Sequence, residues 1–181
     1  MGRVSLLVVC TGNASRSVMA GLMVEQLAAR RGLVLSVTTA GTHAVDGLPL
    51  GARTLAALRT VPEVAGTPVD AFAAAGHRSR QLGAEELGRA DLVVAMEAAH
   101  VRYVRRRHPE AAPRTGALRR LAADLGPGPA PLSARVAALD LEQAPLEPAD
   151  DVADPAGRDD AAYAACAREL WALCEALVRR L

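Results

Sequence analysis

Apolar and polar positions along the chain fall into blocks that predict strands and helices in turn. Residues 4–9 form a short, almost continuously apolar run, which is typical of a buried strand. Met19, Leu22, Met23 and Leu27 then recur at helical spacing, and the nearby charged residues lie off that face. The predicted order is therefore strand, short loop and helix.

The same alternation continues along the rest of the chain. Apolar runs predict further strands at 33–37, 91–96 and 115–118. Helical patterns are predicted at 15–31, 49–58, 85–89, 98–107 and 159–181. Strands that alternate with helices favour the α/β class, here a parallel, twisted four-stranded sheet with helices on both faces. The 181 residues fit a single domain over 1–181.

Composition narrows the possible classes of function. Hydrophobic residues make up 51% of the chain. No apolar run approaches the roughly 20 residues of a membrane helix, so no membrane association is expected. The net charge of +1 gives no reason to expect a nucleic-acid partner. All 21 basic residues are arginine, which excludes a lysine Schiff base and the lysine of a Walker nucleotide loop.

Three smaller features are interpreted as structural. The basic run at 105–107 is interpreted as the solvated end of a helix rather than as a patch for an anionic partner. The three cysteines lack the closely spaced pairs of a disulfide framework, which predicts a reducing, cytoplasmic setting. Cys166 and Cys174 share an apolar helix face and are interpreted as core residues. The four histidines lie in separate segments, so no metal site is predicted. No cofactor is predicted either. No pattern in the sequence specifies an oligomeric state.

Candidate chemistry is concentrated in the loop after the first strand, which reads Cys10-Thr11-Gly12-Asn13-Ala14-Ser15-Arg16-Ser17. A thiolate is the attacking form of cysteine, and a helix N-terminus and a nearby cation favour it. Cys10 has both in the predicted strand-loop-helix. Ser17 can hydrogen-bond the thiolate and steady it as a leaving group.

The same loop is suited to binding phosphate. Its backbone N–H groups can converge at a helix N-terminus and form a receptor for a tetrahedral oxyanion. Arg16 can hold two phosphate oxygens, while Gly12 and Asn13 tolerate the left-handed backbone that a tight loop requires. The predicted phosphate-binding residues are Thr11, Gly12, Asn13, Ala14, Ser15 and Arg16. The hypothesis is phosphoryl transfer to Cys10, followed by hydrolysis of the thiophosphate.

With this loop the chain resembles the low-molecular-weight protein tyrosine phosphatases of bacteria, whose motif is a strand ending in Cys, five residues, Arg and Ser. Four further segments are similar to the family and follow in the same order. They lie at 39–42, 76–82, 91–97 and 151–155, the last containing an Asp-Pro pair. The resemblance is weakest over 113–148, which is expected to be mobile or divergent.

The resemblance implies roles for individual residues. Cys10 would be the nucleophile, Arg16 the phosphate clamp and Asp154 the general acid, which then acts as a base toward water. Three further residues would form a hydrogen-bond network that supports the loop: Asn13, Thr39 and His77. From the residues alone, three carboxylates are equal candidates for the acid: Asp150, Asp151 and Asp154.

The implied activity is hydrolysis of phosphate monoesters through a cysteinyl-phosphate intermediate. The substrate would be a phosphorylated protein, or a small aryl or sugar phosphate. The family usually walls its cleft with aromatic side chains, whereas here Ala156 follows the Asp-Pro pair and residues 42–50 contain no aromatic residue. A preference for phosphotyrosine is therefore left open.

Two other functions are compatible with the loop. A thioredoxin-coupled arsenate reductase would need two relay cysteines, and residues 72–89 contain none. A phosphate-binding module without catalysis would need neither Cys10 nor Asp154, so the presence of both argues against it.

Overall fold

The computed structural model describes residues 3–64 and 76–181. Within these ranges one parallel sheet contains four strands: β1 (Val4–Cys10), β2 (Leu35–Gly41), β3 (Leu92–Ala95) and β4 (Thr115–Ala117). The strand order is β2-β1-β3-β4. Because β2 and β3 flank β1 on opposite sides, the winding reverses at β1. The carboxyl end of such a strand is where open α/β sheets bind ligands.

Seven α-helices in the described ranges connect and cover these strands. They are α1 (Arg16–Arg30), α2 (Ala52–Arg59), α3 (Ala84–Arg89), α4 (Ala98–Arg107), α5 (Leu118–Asp124), α6 (Leu132–Ala137) and α7 (Asp160–Val178). Short 3₁₀ helices span Pro109–Arg114 and Pro148–Asp150. No helix in the described part of the chain has the length and apolarity needed to cross a membrane.

The side chains of β1 enter two separate cores, because successive residues of a strand point to opposite faces. Leu6 and Val8 lie in the larger core, to which α1, α2, α5 and α7 contribute. Leu7 and Val9 lie in the smaller core, to which α3 and α4 contribute. Burial on both faces explains why this strand is almost continuously apolar rather than alternating.

The predicted α/β class, the parallel four-stranded sheet and the loop after β1 are confirmed by this architecture. The predicted bounds of the second strand are wrong, since β2 runs from Leu35 to Gly41 and not over 33–37. Its register explains the difference: Leu35 pairs with Val4 and Gly41 with Cys10, so β2 extends as far as β1 does. The polar but β-branched Thr38 and Thr39 fit such a strand.

Two helices in 113–148 were not among the predicted elements. α5 and α6 are only seven and six residues long, and neither begins with a side-chain cap. A helical spacing is nevertheless present at Leu118, Leu121, Ala122 and Leu125, all of which are buried. This face of α5 packs on α7, so the segment contributes β4 and part of the larger core.

Candidate active site

The Cys10 thiol is buried at the carboxyl end of β1, where the chain turns into α1. Its Sγ lies 3.1 Å from Ser17 Oγ, in the first turn of α1. Asn13 Nδ2 donates to the same hydroxyl oxygen at 3.0 Å. Since Asn13 supplies a hydrogen to that oxygen, the Ser17 hydroxyl hydrogen can point at the sulfur. The thiol therefore faces a helix N-terminus and a hydroxyl donor, and both stabilise a thiolate.

Asn13 fixes the curvature of the loop. Its φ of 51° lies in the left-handed region, which asparagine adopts more readily than most residues. His77 Nε2 donates to the Asn13 carbonyl oxygen at 2.8 Å. The Arg80 backbone N–H donates to Asn13 Oδ1 at 2.9 Å. Asn13 is thus held through both its backbone and its side chain, and two of its partners come from the segment at 76–82.

The end of β2 approaches the loop so closely that only glycine fits there. A Cβ on Gly41 would lie 2.5 Å from the Thr11 carbonyl oxygen and 2.8 Å from the Asn13 nitrogen. The next two residues donate backbone N–H groups at 2.9 Å, Thr42 to the Cys10 carbonyl and His43 to the Thr11 carbonyl. Residues 41–43 therefore support the outer side of the loop.

Thr39, which the resemblance assigned to the supporting network, faces α1 instead. Its Cγ2 is so close to Gly21 that a Cβ there would lie 2.8 Å away. None of the hydrogen bonds found among the described residues joins the Thr39 side chain to residues 10–17. The structure brings Asn13, Ser17 and His77 together around the loop and leaves Thr39 packed against the helix.

Arg16 is 1% exposed and surrounded by acceptors. Its Nη2 donates to Asp154 Oδ2 at 2.6 Å and lies 3.4 Å from Thr11 Oγ1. Its Nη1 donates to the Glu97 carboxylate and, at 2.9 Å, to the Val152 carbonyl. Its Nε is buried without a partner among the described residues. Two carboxylates compensate this buried cation, and the Nε–H is left as a donor for a ligand.

Asp154 lies on a loop that is attached to the same edge of the sheet. The Val152 N–H donates to the Met96 carbonyl at 2.8 Å, at the end of β3. Val152 is completely buried, and its own carbonyl accepts from Arg16. These bonds hold the Asp154 carboxylate within hydrogen-bonding distance of the guanidinium.

The three candidate carboxylates differ in their hydrogen-bond partners. Asp151 Oδ1 accepts the Ala98 N–H at 2.6 Å, at the start of α4. Asp150 pairs with Arg120 through two hydrogen bonds to one oxygen, of 2.8 and 3.0 Å. Asp154 is the one of the three that contacts Arg16. The other two hold the loop in place.

This cluster contains two further residues, Glu97 and His100, for which the sequence pattern predicted no role. Glu97 follows β3 directly and pairs with Arg16. His100, in the first turn of α4, is 2% exposed, and its Nε2 lies 2.9 Å from Thr11 Oγ1. Burial, and then the charge of Arg16, lower the pKa of His100 to about 4. A signal was available, since the carboxyl ends of parallel neighbours such as β1 and β3 meet at one edge.

An aromatic pair lies beside the loop, although residues 42–50 contain no Phe, Tyr or Trp. The rings of His43 and Tyr103 meet edge to face, with centroids 5.6 Å apart. Tyr103 belongs to α4, and Gln81 Nε2 donates to its hydroxyl oxygen at 3.4 Å. The aromatic side chain near the site therefore comes from α4 and not from residues 42–50. Phe72 lies outside the described residues.

The other two cysteines are buried in the larger core, as predicted. Burial raises the pKa of the Cys166 thiol to about 12 and raises that of Cys174 further. Thiols with so little thiolate at neutral pH are poor nucleophiles. They do not suit the disulfide relay that an arsenate reductase of this type requires.

Comparisons with known proteins agree with this site. The family model of the low molecular weight phosphotyrosine protein phosphatases matches residues 5–124. A low molecular weight protein tyrosine phosphatase from T. tengcongensis is 26% identical, with a TM-score of 0.76, over 98% of this chain and 99% of that one. The YwlE arginine phosphatase from Geobacillus stearothermophilus is 27% identical, with a TM-score of 0.69, over 97% of this chain and 90% of that one. No curated protein sequence matches the chain.

The fold, the loop after β1 and these matches define a cysteine-based phosphatase, a hydrolase of phosphate monoesters. The chain belongs to the low molecular weight phosphotyrosine protein phosphatase family. Arsenate reduction is not favoured by any of these relatives.

Proposed function

We propose that this phosphatase acts on phosphorylated proteins, with Cys10 as nucleophile, Arg16 as phosphate clamp and Asp154 as general acid. The observation that carries the proposal is the convergence of these three residues from two separate parts of the chain. Cys10 and Arg16 flank one loop, and Asp154, which is 138 positions beyond Arg16, lies 2.6 Å from its guanidinium. A nucleophile, an anion clamp and an acid at one point are the parts that phosphoryl transfer through cysteine needs.

In the first step the Cys10 sulfur attacks phosphorus and the bond from phosphorus to the leaving oxygen breaks. Asp154, protonated for this step, gives its proton to that oxygen. The backbone N–H groups of residues 11–16 and the free Arg16 Nε–H hold the non-bridging phosphate oxygens. These donors are fixed before the substrate arrives, so little reorganisation is needed as charge develops.

In the second step water attacks the phosphorus of the cysteinyl phosphate. Asp154, now a carboxylate, takes a proton from the water, and the bond between sulfur and phosphorus breaks. The Ser17 hydroxyl, 3.1 Å from the sulfur, donates to the departing thiolate. Asn13 and His77 keep the loop in shape through both steps, and Thr39 supports it indirectly by packing against α1.

The first test is hydrolysis of p-nitrophenyl phosphate under reducing conditions by the wild type and by Cys10→Ser. This ester has a good leaving group and needs few contacts outside the loop, so its hydrolysis reports on the chemistry of the loop. Cys10→Ser should abolish turnover and keep binding of phosphate or vanadate. Turnover that survives the substitution would remove Cys10 as the nucleophile. An inactive wild type that still binds phosphate would favour a binding module.

Phosphotyrosine is the substrate side chain that we propose. The edge-to-face pair of His43 and Tyr103 beside the loop offers an aryl ring a contact of the kind worth about 1 kcal/mol. The similarity to an arginine phosphatase makes phosphoarginine the second candidate. Matched peptides that carry either group, together with a sugar phosphate, should rank in kcat/KM with phosphotyrosine first. A sugar phosphate ranking first would replace the protein substrate with a small molecule.

We further propose that the enzyme works in the cytoplasm. Its nucleophile must stay a free thiol, and a reducing compartment provides that condition. Loss of activity in oxidised extract, with recovery on addition of a thiol reductant, would support this placement.

A further inference from the structure

The basic run at 105–107 does not behave as one solvated helix end. Arg105 is turned into the protein, where its Nη2 donates to the carbonyls of Leu141 and Ala144 at 2.5 and 2.7 Å. Arg106 and Arg107 are exposed, as is Arg102 one turn earlier. None of these three forms an ion pair with any residue in the described ranges. Three uncompensated cations therefore share one side of α4.

These three arginines line a pocket of about 350 Å³. Its remaining lining residues are His43, Ala99 and Tyr103, and this set of six is called the arginine pocket below. Arginine offers several donors in a planar fork that matches a carboxylate. Because three arginines line the pocket and it is open to solvent, it can bind an anionic group that belongs to a larger molecule.

The arginine pocket adjoins the catalytic loop at one end. His43, in its wall, donates its backbone N–H to the Thr11 carbonyl at 2.9 Å. Ala99 precedes His100, whose ring contacts the Thr11 side chain. From His100, the backbone of Arg106 lies about 9 Å further along the helix axis, at about 1.5 Å per residue. An extended peptide covers that distance in about three residues.

We infer that the arginine pocket binds acidic side chains that flank the phosphorylated residue of a polypeptide substrate. This inference rests on the proposed function as a protein phosphatase. Acidic residues two to four positions from the phosphorylated residue reach Arg102 first, and then Arg106 and Arg107. A duplex nucleic acid fits the site less well, because the chain as a whole carries a net charge of only +1.

The test compares kcat/KM for two phosphotyrosyl peptides of equal length, one with Asp and Glu around the phosphorylated residue and one with Asn and Gln. The variant is Arg102→Gln/Arg106→Gln/Arg107→Gln. The control is Arg3→Gln/Arg31→Gln/Arg168→Gln, which removes the same charge from exposed positions outside the pocket. p-Nitrophenyl phosphate reports the chemistry itself in all three proteins.

The wild type and the control should prefer the acidic peptide by about tenfold, the sum of several exposed ion pairs. The pocket variant should lose this preference while its rates on the neutral peptide and on p-nitrophenyl phosphate change less than twofold. The preference should also fade as salt is raised toward 1 M, where charges are screened within about 3 Å.

Equal kcat/KM for both peptides in the wild type would overturn the inference and leave the proposed function intact. The same would follow if the pocket variant and the control lost the preference equally. Turnover of p-nitrophenyl phosphate without turnover of either peptide would overturn the proposed function itself. A short DNA duplex that binds the wild type but not the pocket variant, with no peptide preference, would reassign the pocket to nucleic acid.

Discussion

His100 is a histidine whose surroundings oppose its charged form. It is buried, and its neighbour Arg16 is a cation, so its pKa falls to about 4 from the ordinary 6.5. Thr11 Oγ1 therefore contacts one cation, Arg16, and one neutral imidazole, that of His100. His100 thus supports the loop from the side of β3 without adding a second positive charge to it.

This pKa makes folding stability depend on pH. Between pH 4 and 6.5 the unfolded chain holds a proton on this imidazole and the folded chain does not. Stability therefore rises with pH across that window, by about 3 kcal/mol for a shift of this size. In His100→Gln this part of the slope should vanish, as measured by urea unfolding at a series of pH values. His77, whose pKa is also lowered by burial, remains in both proteins, so their difference isolates His100. Identical slopes would show that folding does not shift the pKa of His100.

Asp154 can be tested through the leaving group. As general acid it matters most when the departing oxygen is a poor leaving group, and such a proton transfer contributes about 10²- to 10⁴-fold. Asp154→Asn should therefore slow phenyl phosphate far more than p-nitrophenyl phosphate. Asp151→Asn removes the charge but keeps an oxygen that can accept the Ala98 N–H at the start of α4. It serves as the control and should affect the rates on both esters alike. The reverse pattern would make Asp151 the acid.

At the scale of elements, the end of β2 forms the outer wall of the catalytic loop. Gly41→Ala should displace the loop, because the new Cβ would lie 2.5 Å from a backbone oxygen. A shift of about 1 Å at a catalytic group can cost about 10²-fold in rate. The measurement is kcat on p-nitrophenyl phosphate, with circular dichroism to check the fold. Gly51→Ala is the matched control, since no heavy atom lies within 4 Å of its Cβ. A normal rate in Gly41→Ala would mean that the loop does not depend on this contact.

The parts of the site that spacing alone could predict are those within one strand-loop-helix unit, whereas Asp154 and His77 were predicted through the family resemblance. Cys10 and Arg16 lie at the two ends of one loop between a strand and a helix, so their spacing alone indicates their chemistry. Glu97 and His100 reach the loop from β3 and α4, and only the order of strands in the sheet brings them there. The orientation of Thr39 was also beyond prediction, because it depends on how closely α1 lies against β2 at Gly21.

At the scale of the whole molecule, the class of fold followed from alternating strand and helix patterns. α5 and α6 were not predicted because helices of seven and six residues show a helical spacing over about two turns at most, and neither begins with a side-chain cap. The different environments of the three arginines at 105–107 could not be predicted either. The three are equivalent in sequence, and only the neighbouring segment at 141–144 distinguishes Arg105 from the two that face solvent.

The loop that carries Asp154 is bonded to β3, α1, α4 and α5 before any substrate arrives, through Val152, Asp151 and Asp150. Because the general acid is already in position, no conformational closure is needed at each turnover. We expect kcat to be independent of solvent friction, with no slope against relative viscosity in sucrose and a polymer viscosogen as control. A slope near one would mean that a closing motion or product departure limits the rate. With no slope, bond making and breaking would set the pace of the cycle.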